Sequence, residues 1–527
     1  MRTTPPRDAH RATPADGREE TRVFCAPSGG WARLAHLVLA VAIWAVFNPG
    51  ITGDDGLGQL RQAETGRYTN YHPPVMSLLT RAVYRVAGLS PAAYVIPLVE
   101  TTPAGRTSHD LVIFIGGSLG LVTFLQSVAG LYGIRFLCLR LLRRLRGAAR
   151  GSDEWLALLC AVLLLAFTPL PFYLVAYLKD SWLLIELLWL AGILVSLEPT
   201  SAAGWATVSA AVAITVLVGL TRHNAVVVLA AVCPLVYRGA ARWKGLMAVA
   251  PVALLLLAQR GIERTADVVD LKPAHQVLLL DLVGMSVLEP RLMDEMPFVS
   301  RHMTTREYAR IFQPGAQGLL PMVMDLNGAQ WSDPAALRAE YRRVASRHPV
   351  LLLKTKLKAF HNLIRPPLRM PYLLTGIWSS GRGYSQNPGW APARTYMEQR
   401  YTRLTEEPLG RLLNAHPLWL VAGAGLLLLA LWRLRSPGAA LILAVPVLYA
   451  NSFLLATTSF DYRFLYPATA VFQVVTVVSV FVWVRWRMKR TRTQEAPASR
   501  AFDTPAAWCW IVFAIYAGFI LWPFFVR

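Results

Sequence analysis

The chain has 527 residues, of which 54% are hydrophobic and 16% charged, and its mean hydropathy is +0.40. Apolar runs of roughly 15–25 residues recur along it, the length that crosses a hydrocarbon core ~30 Å thick, so it reads as an integral membrane protein and not a soluble enzyme. The net charge of +22 is gathered in basic clusters between apolar runs, which points to cytoplasmic loops and away from a nucleic-acid partner.

Residues 1–30 are rich in Arg, Pro and Asp and read as a disordered cytoplasmic tail, with no convincing cleavage site before the first acids. A first span is expected at 31–47. A loop over 50–109 follows and opens on Gly53-Asp54-Asp55-Gly56-Leu57-Gly58-Gln59, with Tyr71-His72-Pro73-Pro74 further on. Within this loop, Val75 to Ala87 reads as a short amphipathic helix and Pro91 to Leu98 as a mixed apolar piece, both suited to the membrane surface. Six more spans are expected at 111–134, 155–176, 181–197, 204–220, 225–238 and 244–259. A more polar region occupies 260–415, and four spans follow at 417–433, 438–456, 464–484 and 507–525. The expected fold class is therefore an all-α polytopic membrane protein of about eleven transmembrane helices. It divides into the tail, an N-terminal membrane module (31–259), a mid-chain extracytoplasmic region (260–415) and a C-terminal membrane module (416–527).

Basic residues set the orientation. Arg2 to Arg22 in the tail, Arg135 to Arg150, the group Arg238, Arg242 and Lys244, the pair Arg433 and Arg435, and Arg485 to Arg492 all fall on one side if the spans number eleven. That side is cytoplasmic. The other face then carries the loop with Asp54 and Asp55, the turn Tyr177-Leu178-Lys179-Asp180, the turn Thr221-Arg222-His223-Asn224, the region 260–415 and the turn Phe460-Asp461-Tyr462-Arg463. Charges flush with span ends often only anchor a helix. Three such turns on the face of an acidic pair point to a shared site. In the outer region, Asp333 and Pro334 start a helix well. The apolar stretch from Leu351 to Phe360, with Lys354, Lys356 and Lys358 interleaved, suits an interfacial helix. Thr375 to Pro392, rich in Gly, Ser and Pro, fits either a mobile cover or an ordinary loop.

The five cysteines (Cys25, Cys138, Cys160, Cys233 and Cys509) show no metal spacing. The sequence contains no P-loop, dinucleotide-binding or zinc-protease motif. Carboxylates and cations gathered at an outer membrane surface suit glycosyl transfer from a lipid-linked sugar. A polyprenyl phosphate leaves without a general acid, so one carboxylate serves as base for an acceptor hydroxyl and cations hold the departing phosphate. Asp55 and Asp54 are the catalytic candidates. Asp55 is favoured as base because Gln59 and Ala63 follow it at one-turn spacing, while Asp54 is suited to capping that helix. Arg463, Lys179, Arg222 and His72 are the candidates for donor-phosphate binding. Tyr71, Asp180, Asn224 and Asp461 are supporting candidates, with Asp180 expected to pair with Lys179 and Asp461 with Arg463. No metal ligand set is assigned; a divalent metal beside the acids stays open, because no further carboxylate is placed to complete a site.

These motifs resemble those of the GT-C superfamily of polyprenyl-phosphate-sugar-dependent glycosyltransferases, which includes protein O-mannosyltransferases and lipid A aminoarabinose transferases. Asp54-Asp55 resembles the acidic motif that follows the first span in that family, and Tyr71-His72-Pro73-Pro74 its His-Pro-Pro element. Arg463-Phe464-Leu465-Tyr466-Pro467 resembles its late Arg-Tyr-x-x-Pro element. The chain departs from the pattern in carrying Asp-Asp where many relatives have Asp-Glu, in Gln59 where they have tyrosine, and in a mid-chain outer region. The resemblance implies a GT-C-like, inverting transferase of the cell membrane with its site on the extracytoplasmic face. Its expected partners are a polyprenyl-phosphate sugar, a lipid, glycan or protein acceptor, and membrane lipids. A transporter or lipid flippase is the alternative, and uninterrupted span centres with no inverted repeat count against it. A non-catalytic envelope scaffold is a third reading.

Sidedness is testable directly. Single cysteines at Ser152 and Ser385 in a cysteine-free background are expected to differ towards an impermeant thiol reagent in intact cells, with only the second labelled. Equal labelling overturns the assignment.

Overall fold

The computed structural model describes residues 29–52, 54–88, 93–102, 105–114, 117–146, 151–196, 205–236, 244–301, 304–313, 333–364, 388–429, 437–457, 460–493, 514–518 and 520–521. The tail over 1–28, Gly53, the stretch 375–387 and most of the expected span 507–525 lie outside the described residues.

Helix α1 (Gly30–Phe47) is the first apolar run and ends as expected, before the acids. A short α2 (Asp54–Thr65) carries the acids at its start, and α3 (Val75–Val86) is the amphipathic helix expected from the sequence. The next segment departs from expectation. Residues read as a surface piece and the start of a span form an antiparallel hairpin, β1 (Ala93–Thr102) and β2 (Gly105–Phe114), in register from Ala93 opposite Phe114 to Thr102 opposite Gly105. Tyr94, Val95, Ile96, Val99, Thr101 and Thr102 are β-branched or aromatic residues suited to a strand, so local propensity favours a strand in place of the expected surface piece. The fold is thus helical with one hairpin among the described residues.

Helix α4 (Gly117–Arg146) is longer than the span it replaces. Arg135, Arg140, Arg143, Arg144 and Arg146, expected in a loop, extend this helix by three turns. Acids at the start of α5 (Ser152–Phe167) hold the end of α4. Arg135 grips Glu154 with two nitrogens at 2.5 and 2.7 Å, Arg33 adds a third contact at 3.3 Å, and Arg146 lies 2.5 Å from Asp153. Pro169 forces Thr168 into extended geometry and ends α5, so the expected span 155–176 is broken into α5 and a short α6 (Leu170–Val175).

Helix α7 (Lys179–Ser196) is the central pillar. It packs against α4, α8 (Trp205–Thr221), the helix Pro437–Ala456 and the helix Tyr466–Thr493. It is buried over most of its surface, with Trp182, Ile185 and Trp189 half-buried along one stripe, as suits a nearly all-round apolar helix. Gly130 and Gly133 of α4 face Leu174 and Trp189, and Gly192 of α7 faces Phe136, so small residues set the close approach of the two helices. Helix α9 (Val226–Val236) and α10 (Lys244–Thr265) flank this core. The mid-chain region over 260–415 follows with the buried α11 (Ala274–Leu288), which packs against Pro334–Arg347 and Pro349–Ile364. Asp333 caps Pro334–Arg347 by accepting from Ala336 N at 2.9 Å. By length and composition, three helices among the described residues are long and apolar enough to cross a membrane: Gly30–Phe47, Leu119–Arg146 and Tyr466–Val484. Shorter apolar helices include Ala206–Thr221, Ala274–Leu288, His416–Leu428 and Ala440–Ala456.

Two glycines at the start of the first loop, Gly50 and Gly56, are matched to close approaches. Gly50 has φ +133°, in the region that L side chains avoid, and an added Cβ would meet Thr123 and the Val175 carbonyl. At Gly56 an added Cβ would run into the Thr52 hydroxyl and the Tyr177 carbonyl, whereas Gly58 faces open space. Gly56→Ala is therefore expected to lower stability by about 1–3 kcal/mol through overpacking, and Gly58→Ala, at an open helical position, to raise it by up to about 1 kcal/mol through helix propensity. Thermal unfolding of the two purified variants in detergent checks this; equal melting points remove the steric account.

Candidate active site

The sequence places the acids after α1, and backbone pairing then carries them to the core. Ile51 N donates to Val175 O at 3.0 Å and Tyr177 N donates to Ile51 O at 2.7 Å, a short parallel bridge. Gln126 braces the partner segment by donating to the carbonyls of Tyr173, Leu174 and Ala176. The start of α2 is thereby set beside the start of α7. The C-terminal ends of α8 and Pro437–Ala456 reach the same end of the bundle, as does the start of Tyr466–Thr493. The basic cluster around Glu154 lies at the opposite end of α4 and α1.

Arg463 sits at the centre. Its Nη2 is 2.8 Å from Asp55 Oδ2, and its Nε is 2.6 Å from Asp461 Oδ2 and 3.9 Å from Asp180 Oδ2. Asp461 Oδ1 also accepts from the Arg463 backbone N at 3.1 Å, which locks the turn. Burial counts against the charge of Arg463, but the Asp461 and Asp55 carboxylates more than offset it and push its pKa upward. Burial alone would raise the Asp55 carboxyl. Arg463 first, then His72 and Lys179, overcome this and hold it well below the usual carboxylate range.

His72 lies between two groups. Its Nδ1 is 2.5 Å from Lys179 Nζ and its Nε2 is 3.3 Å from Asp55 Oδ1. An ammonium can only donate, so Nδ1 accepts and the proton sits on Nε2, facing the carboxylate. Burial and the Lys179 charge pull His72 down to about 4, against the opposing pull of Asp55. The His72 loop is itself pinned. Tyr71 OH accepts from Gln276 Nε2 at 3.1 Å and its ring centroid lies 4.4 Å from that of His72. Asn70 donates to Asp270 at 2.8 Å and accepts from Leu271 N at 2.7 Å.

Arg222 pairs with Asp180, and both are almost fully buried. It also donates through Nε to Asn224 Oδ1 at 3.1 Å and lies over the Phe464 ring at 4.1 Å; Asn224 Nδ2 donates in turn to Ser452 at 2.9 Å. Asp180 was expected to orient Lys179. It is instead the counter-ion of Arg222, because the first turn of α7 directs successive side chains to different faces. This leaves Lys179 on His72. The Asp54 side chain lies outside the described residues; its backbone is the first residue of α2. Gln59 and Ala63 are buried one and two turns below Asp55.

Asp55, His72, Lys179, Asp180, Arg222, Asn224, Asp461 and Arg463 therefore form one connected cluster. Sequence reasoning missed His223, which lies beside Lys179 and His72, contacts Gln259 at 3.2 Å and is pulled down to about 4 by burial. Its place between Arg222 and Asn224 was the available signal. Among the described residues no group of three or more His, Cys, Asp or Glu side chains is disposed to hold a metal ion.

No protein-family model matches the chain, and no curated protein matches it. Solved structures of the Archaeoglobus fulgidus oligosaccharyltransferase are similar to it. One is of AglB in complex with an inhibitory peptide and a dolichol-phosphate (TM-score 0.37, 12% identity, covering 94% of this chain and 55% of that one). Another is of the enzyme tethered to an acceptor peptide containing the NVT sequon (TM-score 0.36, 12% identity, 94% and 54%). The chain spans about half the length of these structures. At these scores and identities the likeness carries no argument about the activity or the site of this chain.

The His72 environment has a direct consequence. The folded protein takes up the His72 proton near pH 4, whereas the unfolded chain does so near the ordinary 6.5. This group's contribution to stability therefore falls as pH drops from about 6.5 towards 4 and then levels off. Lys179→Met removes the opposing cation and is expected to move the His72 transition upward. Imidazole chemical shifts across pH 3–8 check both; a wild-type transition near 6.5 contradicts the arrangement.

Proposed function

We propose that this chain is a multi-pass membrane glycosyltransferase of the GT-C type, moving a sugar from a polyprenyl-phosphate donor to a hydroxyl acceptor on the extracytoplasmic side. The observation that carries the reading is the convergence of Asp55, His72, Lys179 and Arg463, drawn from four separate segments, on one end of the helix bundle. An anionic lipid-linked donor needs cations at the membrane surface for its phosphate and a carboxylate close by for the acceptor. The N-termini of α2, α7 and Tyr466–Thr493 all lie at this cluster, and their dipoles favour a bound anion.

In the proposed step the acceptor oxygen attacks the anomeric carbon while its proton passes to an Asp55 carboxylate oxygen. The bond from the anomeric carbon to the phosphate oxygen breaks, and the electron pair departs with the lipid phosphate. Arg463 and Lys179 receive the leaving phosphate. His72 orients Asp55 through its Nε2–H and relays the Lys179 charge. Arg222 and Asp180 form the buried frame on which Arg463 rests, with Asn224, Tyr71 and Asp461 holding the cations and the His72 loop. One displacement inverts the anomeric centre and forms no covalent enzyme intermediate. The sugar and the choice of lipid, glycan or protein acceptor are not specified by these residues. About eleven spans and an extracytoplasmic site belong to the same proposal.

The test is sugar transfer from purified polyprenyl-phosphate sugars. Asp55→Asn keeps the shape and removes the base, and is expected to cut turnover roughly 10²–10⁴-fold with donor binding retained. Arg463→Lys keeps a charge but loses the two-armed geometry that joins Asp55 to Asp461, and is expected to lose both turnover and donor affinity. Wild-type turnover in both variants removes the cluster from the chemistry and moves the transporter reading ahead.

A further inference from the structure

The charges in the cluster are balanced before any substrate arrives. Asp55, Asp180 and Asp461 face Arg222, Arg463 and Lys179, the last pulled down to about 7 by burial and the Arg222 charge, and His72 and His223 are held towards neutrality. Lys179 rests on His72 and not on a carboxylate, so a phosphate that recruits an arginine must take it from a carboxylate, and the three arginine–carboxylate pairs are not equally able to yield. Arg222–Asp180 is sealed: the side chains are 7% and 1% exposed, and Arg222 is also held by Asn224 and Phe464. Breaking it would strand a buried charge. Asp461 lies two residues before Arg463 and grips both its backbone N and its Nε, so it travels with the arginine. Asp55 is the exception. It comes from an element 408 residues away, its side chain is 27% exposed, and it meets Arg463 through Nη2, an arm that neither Asp461 nor Asp180 occupies.

We infer that the Arg463–Asp55 pair is an exchangeable latch, in which the donor phosphate replaces the Asp55 carboxylate on Arg463 Nη2 and only then releases Asp55 to act as base. This rests on the glycosyl-transfer reading above. An aspartate clamped by a guanidinium accepts protons poorly, and losing that counter-ion raises its basicity. The groups facing Asp55 are Arg463, His72, Lys179 and Tyr71. After the exchange His72 Nε2, 3.3 Å away, keeps the carboxylate in place. The device enforces order: the donor binds first, and an acceptor arriving alone meets an inactive base.

The experiment measures binding of undecaprenyl phosphate, without sugar, in detergent micelles to the purified full chain. Asp55→Asn removes the competing carboxylate and is expected to bind roughly three- to tenfold tighter than wild type, the scale of a partly exposed ion pair. Asp461→Asn removes a carboxylate at similar range but frees the arginine from its own turn, and is expected to bind no tighter. Equal or weaker binding by Asp55→Asn overturns the latch. Equal tightening by both variants overturns it too, since it shows a general field effect. Failure of Asp55→Asn and Asp55→Ser to fold makes the pair structural and likewise overturns it. If wild type and both variants all fail to bind the lipid phosphate, the donor reading itself falls, an outcome distinct from wild-type binding that Asp55→Asn leaves unchanged.

Discussion

A single guanidinium, that of Arg463, joins the beginning of this chain to its end. It touches Asp55 from the first loop, Asp461 from its own turn and, more distantly, Asp180 at the start of α7. The planar fork of arginine makes this possible, because separate N–H arms point at separate carboxylates. A lysine ammonium in the same place would be a point charge with no fixed directions. Around this fork the buried Arg222–Asp180 pair acts as a fixed frame, and the aromatic faces of Phe464 and Phe453 support it from the apolar side.

Bringing Asp55 within reach of Arg463 depends on backbone and not on side-chain attraction. The chain leaving α1 must lie flat against the segment after α6, and glycine is required where the two backbones touch. Gly50 and Gly56 are those points, while Thr123 and Gln126 on α4 hold carbonyls on each side. Burying carbonyls without donors costs stability, so the side-chain donors of α4 do part of the work that a regular helix would do itself. The long, well-packed contact of α4 with α7 then transmits this order to Lys179 and Asp180 at the head of α7.

Two arginine clusters lie at opposite ends of the bundle and differ in kind. Around Glu154, three basic groups share acids that sit in the first turn of α5, where negative charge is favoured by the helix dipole. That cluster ties helix ends together. Around Arg463 the acids and cations come from loops and helix starts, histidines are held near neutrality, and one pair is partly exposed. The second arrangement has the asymmetry that a binding site needs, because one of its contacts can be exchanged without dismantling the rest.

Composition and apolar run length determined the membrane class, and α1, α3, α8 and the Asp333-capped helix were legible from periodicity and capping residues. The candidate residues were legible as well, because charges flush with apolar runs stand out where the surrounding sequence has almost none. Other features depended on contacts that sequence spacing does not encode. The hairpin over 93–114 was hidden because its two apolar ends, 93–99 and 111–114, match a surface piece and the start of a span as readily as paired strands. The extension of α4 through its arginines came from acids on α5. The exchange of partners that gives Asp180 to Arg222 and Lys179 to His72 was set by the rotation of α7 against its neighbours. A sequence lists charges in one dimension, but which cation meets which carboxylate is decided by distances of a few ångströms between elements hundreds of residues apart, and only the packed helices determine those.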